Sequence, residues 1–250
     1  SSLNVSLITL QSVANSQSSA TAQSLIGQSR SSTDDTVIQV TLSLDDLNTL
    51  KSKMIGRDRS STYLTMTTDA ITDVYNNKVR PRVNGMNSLQ ARNVTADQTK
   101  PILNAFSFDA NAATLTLNFS ETVLASSLKV TGLTLRNSSS ATDPLRKFTL
   151  TLASFTSSID SPTIVVNIAS VDMNALKVLG GLAININSSY LTIDADSITD
   201  TALIPNSNVG IDVPNAIQAS SYTADTTRPS LVRFDLKDRK STRLNSSHRT

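Results

Sequence analysis

Cysteine and tryptophan are missing from the 250 residues, and histidine and glutamate occur once each. Without thiols there are no disulfide frameworks, zinc ribbons, thiol nucleophiles or iron–sulfur sites. Aromatic residues supply only 4% of the chain and charged residues 17%. No apolar run approaches the roughly 20 residues of a membrane helix, so no membrane span is expected. The chain opens without Met and without a signal-like segment, so its compartment has to be argued from architecture. What is abundant is hydroxyl: Ser and Thr make up over a quarter of the residues. The hydrophobic content of 38% is modest, but it suffices for thin β-sandwich cores and is too rich in Leu, Ile and Val for a disordered chain.

The C-terminal stretch breaks the pattern of the rest. Asp238-Arg239-Lys240-Ser241-Thr242-Arg243-Leu244-Asn245-Ser246-Ser247-His248 resembles the in-frame translation of a widely used sequencing adapter. Residues 238–250 are therefore set aside as a non-native tail, the competing reading being a solvated basic tail. They carry a net charge of +3, so without them the formal +2 becomes −1. No nucleic-acid partner is expected, because that would need a clustered basic face interleaved with aromatics. The sole histidine, His248, goes with the tail, and His-based catalysis and His metal ligation go with it.

An internal repeat organises what remains. Asp97-Gln98-Thr99-Lys100-Pro101 recurs as Asp225-Thr226-Thr227-Arg228-Pro229, 128 residues on. Ser1–Val5 matches Ser126–Val130 at an offset of 125, Asp46–Lys51 matches Asp172–Lys177 at 126, and Tyr63–Met66 matches Tyr190–Ile193 at 127. The slow drift is what small loop insertions produce. The expected organisation is a partial unit over 1–96, a complete unit over 97–224, and the start of a third over 225–237. On that reading the chain is a fragment at both ends.

Within the units the period is two, the mark of half-buried strands. Leu115, Leu117 and Phe119 alternate with Thr114, Thr116 and Asn118. Phe148, Leu150 and Leu152 form a second set, and Ile164, Val166 and Ile168 a third, echoed by Ile38, Val40 and Leu42. Leu191 and Ile193 are echoed by Leu64 and Met66. Only Asp46–Lys51 and Asp172–Lys177 read as helical, each about one turn capped by its Asp. The predicted fold is all-β, with short antiparallel strands forming a sandwich in each unit.

The Asp-x-Thr-x-Pro opening, the Leu-Asn-Phe-Ser-Glu-Thr-Val run of Leu117–Val123 and the Tyr-Leu-Thr…Ile-Thr-Asp stretch resemble bacterial-type Ig-like tandem repeats of large surface, adhesin and S-layer-like proteins. The resemblance spans essentially residues 1–237. It implies tandem Ig-like antiparallel β-sandwiches, one complete and two partial. Asp73-Val74-Tyr75-Asn76-Asn77 is similar to the family's late Asp-x-x-Gly-Asn turn, with Asn76 in the glycine place, where Asn tolerates a left-handed backbone. The second copy, Asp200–Ile204, departs from that pattern.

Few residues invite chemistry. Glu121 follows a strand, and with Asp97, Asp225 and Asp200 it would make an inter-unit calcium site, calcium being the one cofactor considered. Calcium wants six to eight oxygens, and the dense Asp/Asn loop of a specific calcium motif is missing. The other reading has Glu121 accepting backbone hydrogen bonds in its turn. Asp194, Asp196 and Asp200 form an acidic cluster, read as solvated loop charge rather than a glycosidase pair. Sequons begin at Asn4, Asn93, Asn118, Asn137 and Asn187, about as many as this composition yields by chance. No catalysis is expected. The expected role is a structural or adhesive spacer at a cell surface, with neighbouring repeats of the same chain as first partners. The alternative is a module that binds surface glycans or proteins through its end loops. Tyr63 and Tyr190, at matching strand positions, read as core. Ser230–Leu236 is expected to be a first strand with no sheet to join, and the first unit, missing the strands that match Ile102–Phe108 and Thr114–Phe119, to leave sheet edges and apolar face open.

Overall fold

The computed structural model describes residues 2–26, 35–140 and 146–235. The adapter-like tail, with His248, Leu236 and Lys237, lies outside the described residues. Among them no helix is long and apolar enough to cross a membrane. The described residues are rich in short strands and hold two α-helices of nine residues each.

In the first unit, β1 (Ile8–Gln11), β2 (Ala22–Ser24), α1 (Leu44–Ser52), β3 (Tyr63–Met66) and β4 (Leu89–Gln90) follow in order. They build one antiparallel sheet, β2-β1-β3-β4. The second unit adds β5 (Leu103–Asp109) and β6 (Thr114–Val123), then β7 (Leu133–Arg136), β8 (Lys147–Thr149), β9 (Phe155–Thr156) and β10 (Ser161–Asn167). It ends with α2 (Ser170–Val178), β11 (Tyr190–Ile193), β12 (Ile217–Gln218) and β13 (Ser221–Thr223). These strands form two sheets, β13-β5-β6-β10-β9 and β12-β11-β7-β8, antiparallel except where β13 runs parallel to β5. The sheet order β2-β1-β3-β4 of the first unit, with α1 between β2 and β3, recurs as β8-β7-β11-β12 with α2 before β11, while β9 and β10 of the other sheet come between β8 and α2.

Alternation places the core of the second unit between its two sheets. Leu115, Leu117 and Phe119 of β6 and Ile164 and Val166 of β10 face Leu133 and Leu135 of β7 and Leu191 and Ile193 of β11 in one buried cluster. Burying each such side chain contributes about 1.5–3 kcal/mol. The expected alternation fails at one place. Leu152 is 85% exposed, because β8 stops at Thr149 and the chain turns where Thr151 and Ser154 bind the carboxylate of Asp172.

The first unit has its own smaller cluster, Leu3, Val5, Ile8, Leu25, Leu50 and Ile55. Ile38, Val40, Leu42, Leu64 and Met66 are only half-buried against it, and no strand is assigned over 38–42. The reason is topological: among the described residues nothing corresponds to β5 and β6 in this unit. An open trough of about 660 Å³, lined by Ile38, Ile71, Val74 and their neighbours, remains there. The matching Ile164 and Ile198 of the second unit are fully buried.

Both helices exceed the single turn expected, and neither is capped by its Asp. Ser43 caps α1, accepting from the Asp46 N–H at 2.9 Å. Ala169 precedes α2 without a side-chain cap. The two aspartates sit one turn in and are buried. Both carboxylate oxygens of Asp46 accept the Ile26 N–H. Asp172 accepts from the Thr151 N–H and hydroxyl and from the Ser154 hydroxyl, which in turn accepts the Ala169 N–H. Each aspartate thus pins the preceding loop to its helix, which a charged group does more strongly than a neutral one.

Candidate functional site

Helix α1 ends against the second unit, and the chemistry collects there. Strand β6 is ten residues long, and its last turn of alternation brings Glu121, Thr122 and Val123 all into buried positions. Val123 bridges to Asp200, so the Asp200 loop lies beside the strand end. The opening motif of the second unit brings in Asp97. Carboxylate oxygens of Asp97, Glu121 and Asp200 lie within 4.8 Å of one another.

The ammonium of Lys51, from the last turn of α1, sits among them. It donates to Asp97 at 2.7 Å and also to Glu121. Glu121 is only 6% exposed, and its Oε1 has no hydrogen-bond partner. Asp200 is held by its own loop, accepting from the Ala202 N–H and from the Asn206 N–H and side-chain amide. That amide also donates to the Asp97 carbonyl at 3.0 Å. Three carboxylates meet one ammonium, and each like-charge pair at such a separation costs on the order of 3 kcal/mol at an effective dielectric near 20. Burial, joined by the charges of Asp97 and Asp200, pushes the Glu121 carboxyl above its ordinary value despite Lys51. Burial also opposes the charge on Lys51 and on Asp97, but their mutual hydrogen bond and attraction win. The lysine rises and Asp97 falls.

Neutral contacts complete the junction. The Thr122 N–H donates to the Asn48 side chain at 3.2 Å, and the Thr122 hydroxyl donates to the Asn48 carbonyl at 3.1 Å. The Thr201 hydroxyl donates to the Lys51 carbonyl at 3.1 Å, satisfying a carbonyl in the last turn of α1. The Arg57 guanidinium reaches the Ala202 carbonyl at 2.9 Å.

Asp225 is not part of this cluster. It pairs with Lys177 at 2.6 Å, and that lysine's hydrogen bond lowers its pKa. This pairing repeats the other one: Lys177 matches Lys51, Asp225 matches Asp97. The two aspartates also accept from the Thr99 and Thr227 N–H groups in the same tight turn, at 2.9 and 2.8 Å. Sequence reasoning missed Lys51, Asn48 and Asn206. For the lysine a signal was present, since both the helix-end lysine and the opening aspartate recur in each copy.

Of the acidic trio after β11, Asp194 and Asp196 stand exposed while Asp200 turns inward. The late turn of the first unit has Asn76 at φ 65°, the left-handed backbone expected of it. The second copy keeps the bonding without the sequence pattern: Asp73 accepts from Asn77, and Asp200 does the same from Asn206. Tyr63 and Tyr190 are half-buried in β3 and β11. Among protein-family models, curated proteins and solved structures, none matches this chain.

Proposed function

We propose that the chain is a structural spacer, a run of tandem Ig-like β-sandwich units from a large extracellular or cell-surface protein that carries adhesive parts away from the surface. The observation that carries this reading is the doubled latch. The lysine closing each α-helix pairs with the aspartate that opens the next Asp-x-Thr-x-Pro motif, as Lys51–Asp97 and as Lys177–Asp225. A lone enzyme or receptor domain has no use for the same junction twice, whereas an array needs it at every step. The proline and the aspartate-bound turn narrow the hinge further.

The test is a distance distribution between spin labels on one exposed site in each unit, introduced through cysteines that the chain otherwise lacks. A spacer with a fixed junction gives one narrow peak, and Lys51→Met with Asn48→Ala broadens it. A broad distribution in the otherwise unaltered chain would sink the reading.

A further inference from the structure

The α1 junction has a counterpart at α2 on which, among the described residues, no strand is seated. Asn174 and Lys177 of α2 match Asn48 and Lys51, yet Asn174 is exposed and Lys177 is 51% exposed, with Asp225 as its one carboxylate partner among the described residues. The linker beyond is already set. The Asn111 side chain accepts from the Thr226 N–H and hydroxyl, at 3.2 and 3.0 Å, and Asp225 holds the turn. Past it, Leu231 and Phe234 occupy the places of Leu103 and Phe106, which β5 buries almost completely. Here they are 85% and 74% exposed and belong to no strand. A helix face, a lysine–aspartate pair and an exposed apolar segment therefore follow one another here in the chain order they have at the first junction.

We propose that the exposed face of α2, together with residues 230–235, is the docking surface for a further unit of this same kind, seated as the second unit is seated on α1. The incoming unit supplies a glutamate placed like Glu121 to Lys177, and a threonine placed like Thr122 to Asn174. Residues 230–235 become the counterpart of β5 in the new sheet, which buries Leu231 and Phe234. The occupant is defined by chemistry already present at the first junction: a strand ending in Ser-Glu-Thr beside a buried aspartate loop. The inference rests on the spacer reading and extends it to a second interface.

The test uses a chain in which residues 238–250 are replaced by a copy of 110–224, so that Asp225 and residues 230–235 are retained and run directly into a complete third unit. One variant carries Asn174→Cys with Thr122→Cys in the appended copy. A second carries Asn48→Cys with Thr122→Cys in the original unit. A third moves the appended cysteine to Asn111, at the far end of β6. The first two pairs are expected to close under mild oxidation at similar rates, roughly tenfold faster than the third, as proximity dictates. Closure of the Asn48 pair alone overturns the proposal and leaves the spacer reading standing. Failure of both in a folded chain removes the two together. A cysteine-free version serves if the substitutions disturb folding. There Lys177→Met should lower the melting temperature of the three-unit chain and leave that of the present chain nearly unchanged, and equal effects in both would overturn the docking.

Discussion

Lys51 is the residue on which most turns. Replacing it with Met leaves Asp97, Glu121 and Asp200 without their ammonium, and removal of one partner from a partly buried pair is costly. A loss of about 1–3 kcal/mol in urea unfolding is expected at neutral pH. Lys177→Met, at the more exposed pair, should cost under about 0.5 kcal/mol. The pH dependence follows from opposed shifts. The Asp97 carboxyl lies below its ordinary value, so its stabilisation is present above pH 3.8 and is lost as pH falls through the lowered value. Glu121 is raised, so the stability it favours is present below its ordinary 4.5 and is lost as pH climbs through the raised value. Glu121→Gln is therefore expected to lessen the decline in stability above pH 4.5, measured as unfolding free energy against pH, and an unchanged profile would remove Glu121 as its source. If calcium binds the Asp97–Glu121–Asp200 cluster, it competes with the lysine for the same oxygens. Calcium should then raise the melting temperature of Lys51→Met more than that of the unsubstituted chain, and equal shifts would place calcium elsewhere.

At the scale of elements, the helices are held by loops rather than by their own propensity. Nine residues are too few for an isolated helix to persist in water, and α2 has no side-chain cap. Asp172 substitutes for it by binding the Thr151–Ser154 turn. Asp172→Ala would leave the Thr151 N–H and the Ser154 hydroxyl without their acceptor, at an expected cost of about 2–4 kcal/mol in denaturant unfolding. Burial opposes the charge on Asp172, but the Ser154 and Thr151 donors outweigh it and lower its pKa. Its contribution therefore holds above pH 3.8 and disappears as pH falls below. The strands were legible because alternation has only one physical meaning on a half-buried sheet, as at Leu115, Leu117 and Phe119. The helix lengths and the caps were not. Asp46 and Asp172 look like caps in sequence, and only the fold shows that they bind Ile26 and Thr151 instead.

The whole molecule is two unequal halves. The second unit has two sheets around one core, and β13 closes its edge onto β5. The first has one sheet and a trough where Ile38 and Ile71 lie open. Residues 97–235 alone are accordingly expected to unfold cooperatively with dispersed amide resonances. Residues 2–96 alone should show neither, since a single sheet with one bare face buries too little to offset chain entropy. A cooperative transition from the shorter piece would mean that its six-residue core is sufficient by itself.

The repeat, its offsets and the faces of most strands were determined by the sequence alone, because periodicity and turn residues act over a few neighbours. Asn76 in a left-handed turn belongs with these, since its conformation is a local matter of side-chain size. Tertiary structure decided the rest. Lys51 and Glu121 are 70 residues apart, and no local rule brings a helix end onto a strand end at that separation. Asp97 and Asp225 are alike in sequence, yet one joins a buried cluster and the other an exposed pair. The difference is whether a β6 strand with its glutamate is present beside the lysine. The direction in which each carboxyl titrates is set by the balance between burial and the donors the fold supplies: Asp172 and Glu121 are both buried, yet one is lowered and the other raised.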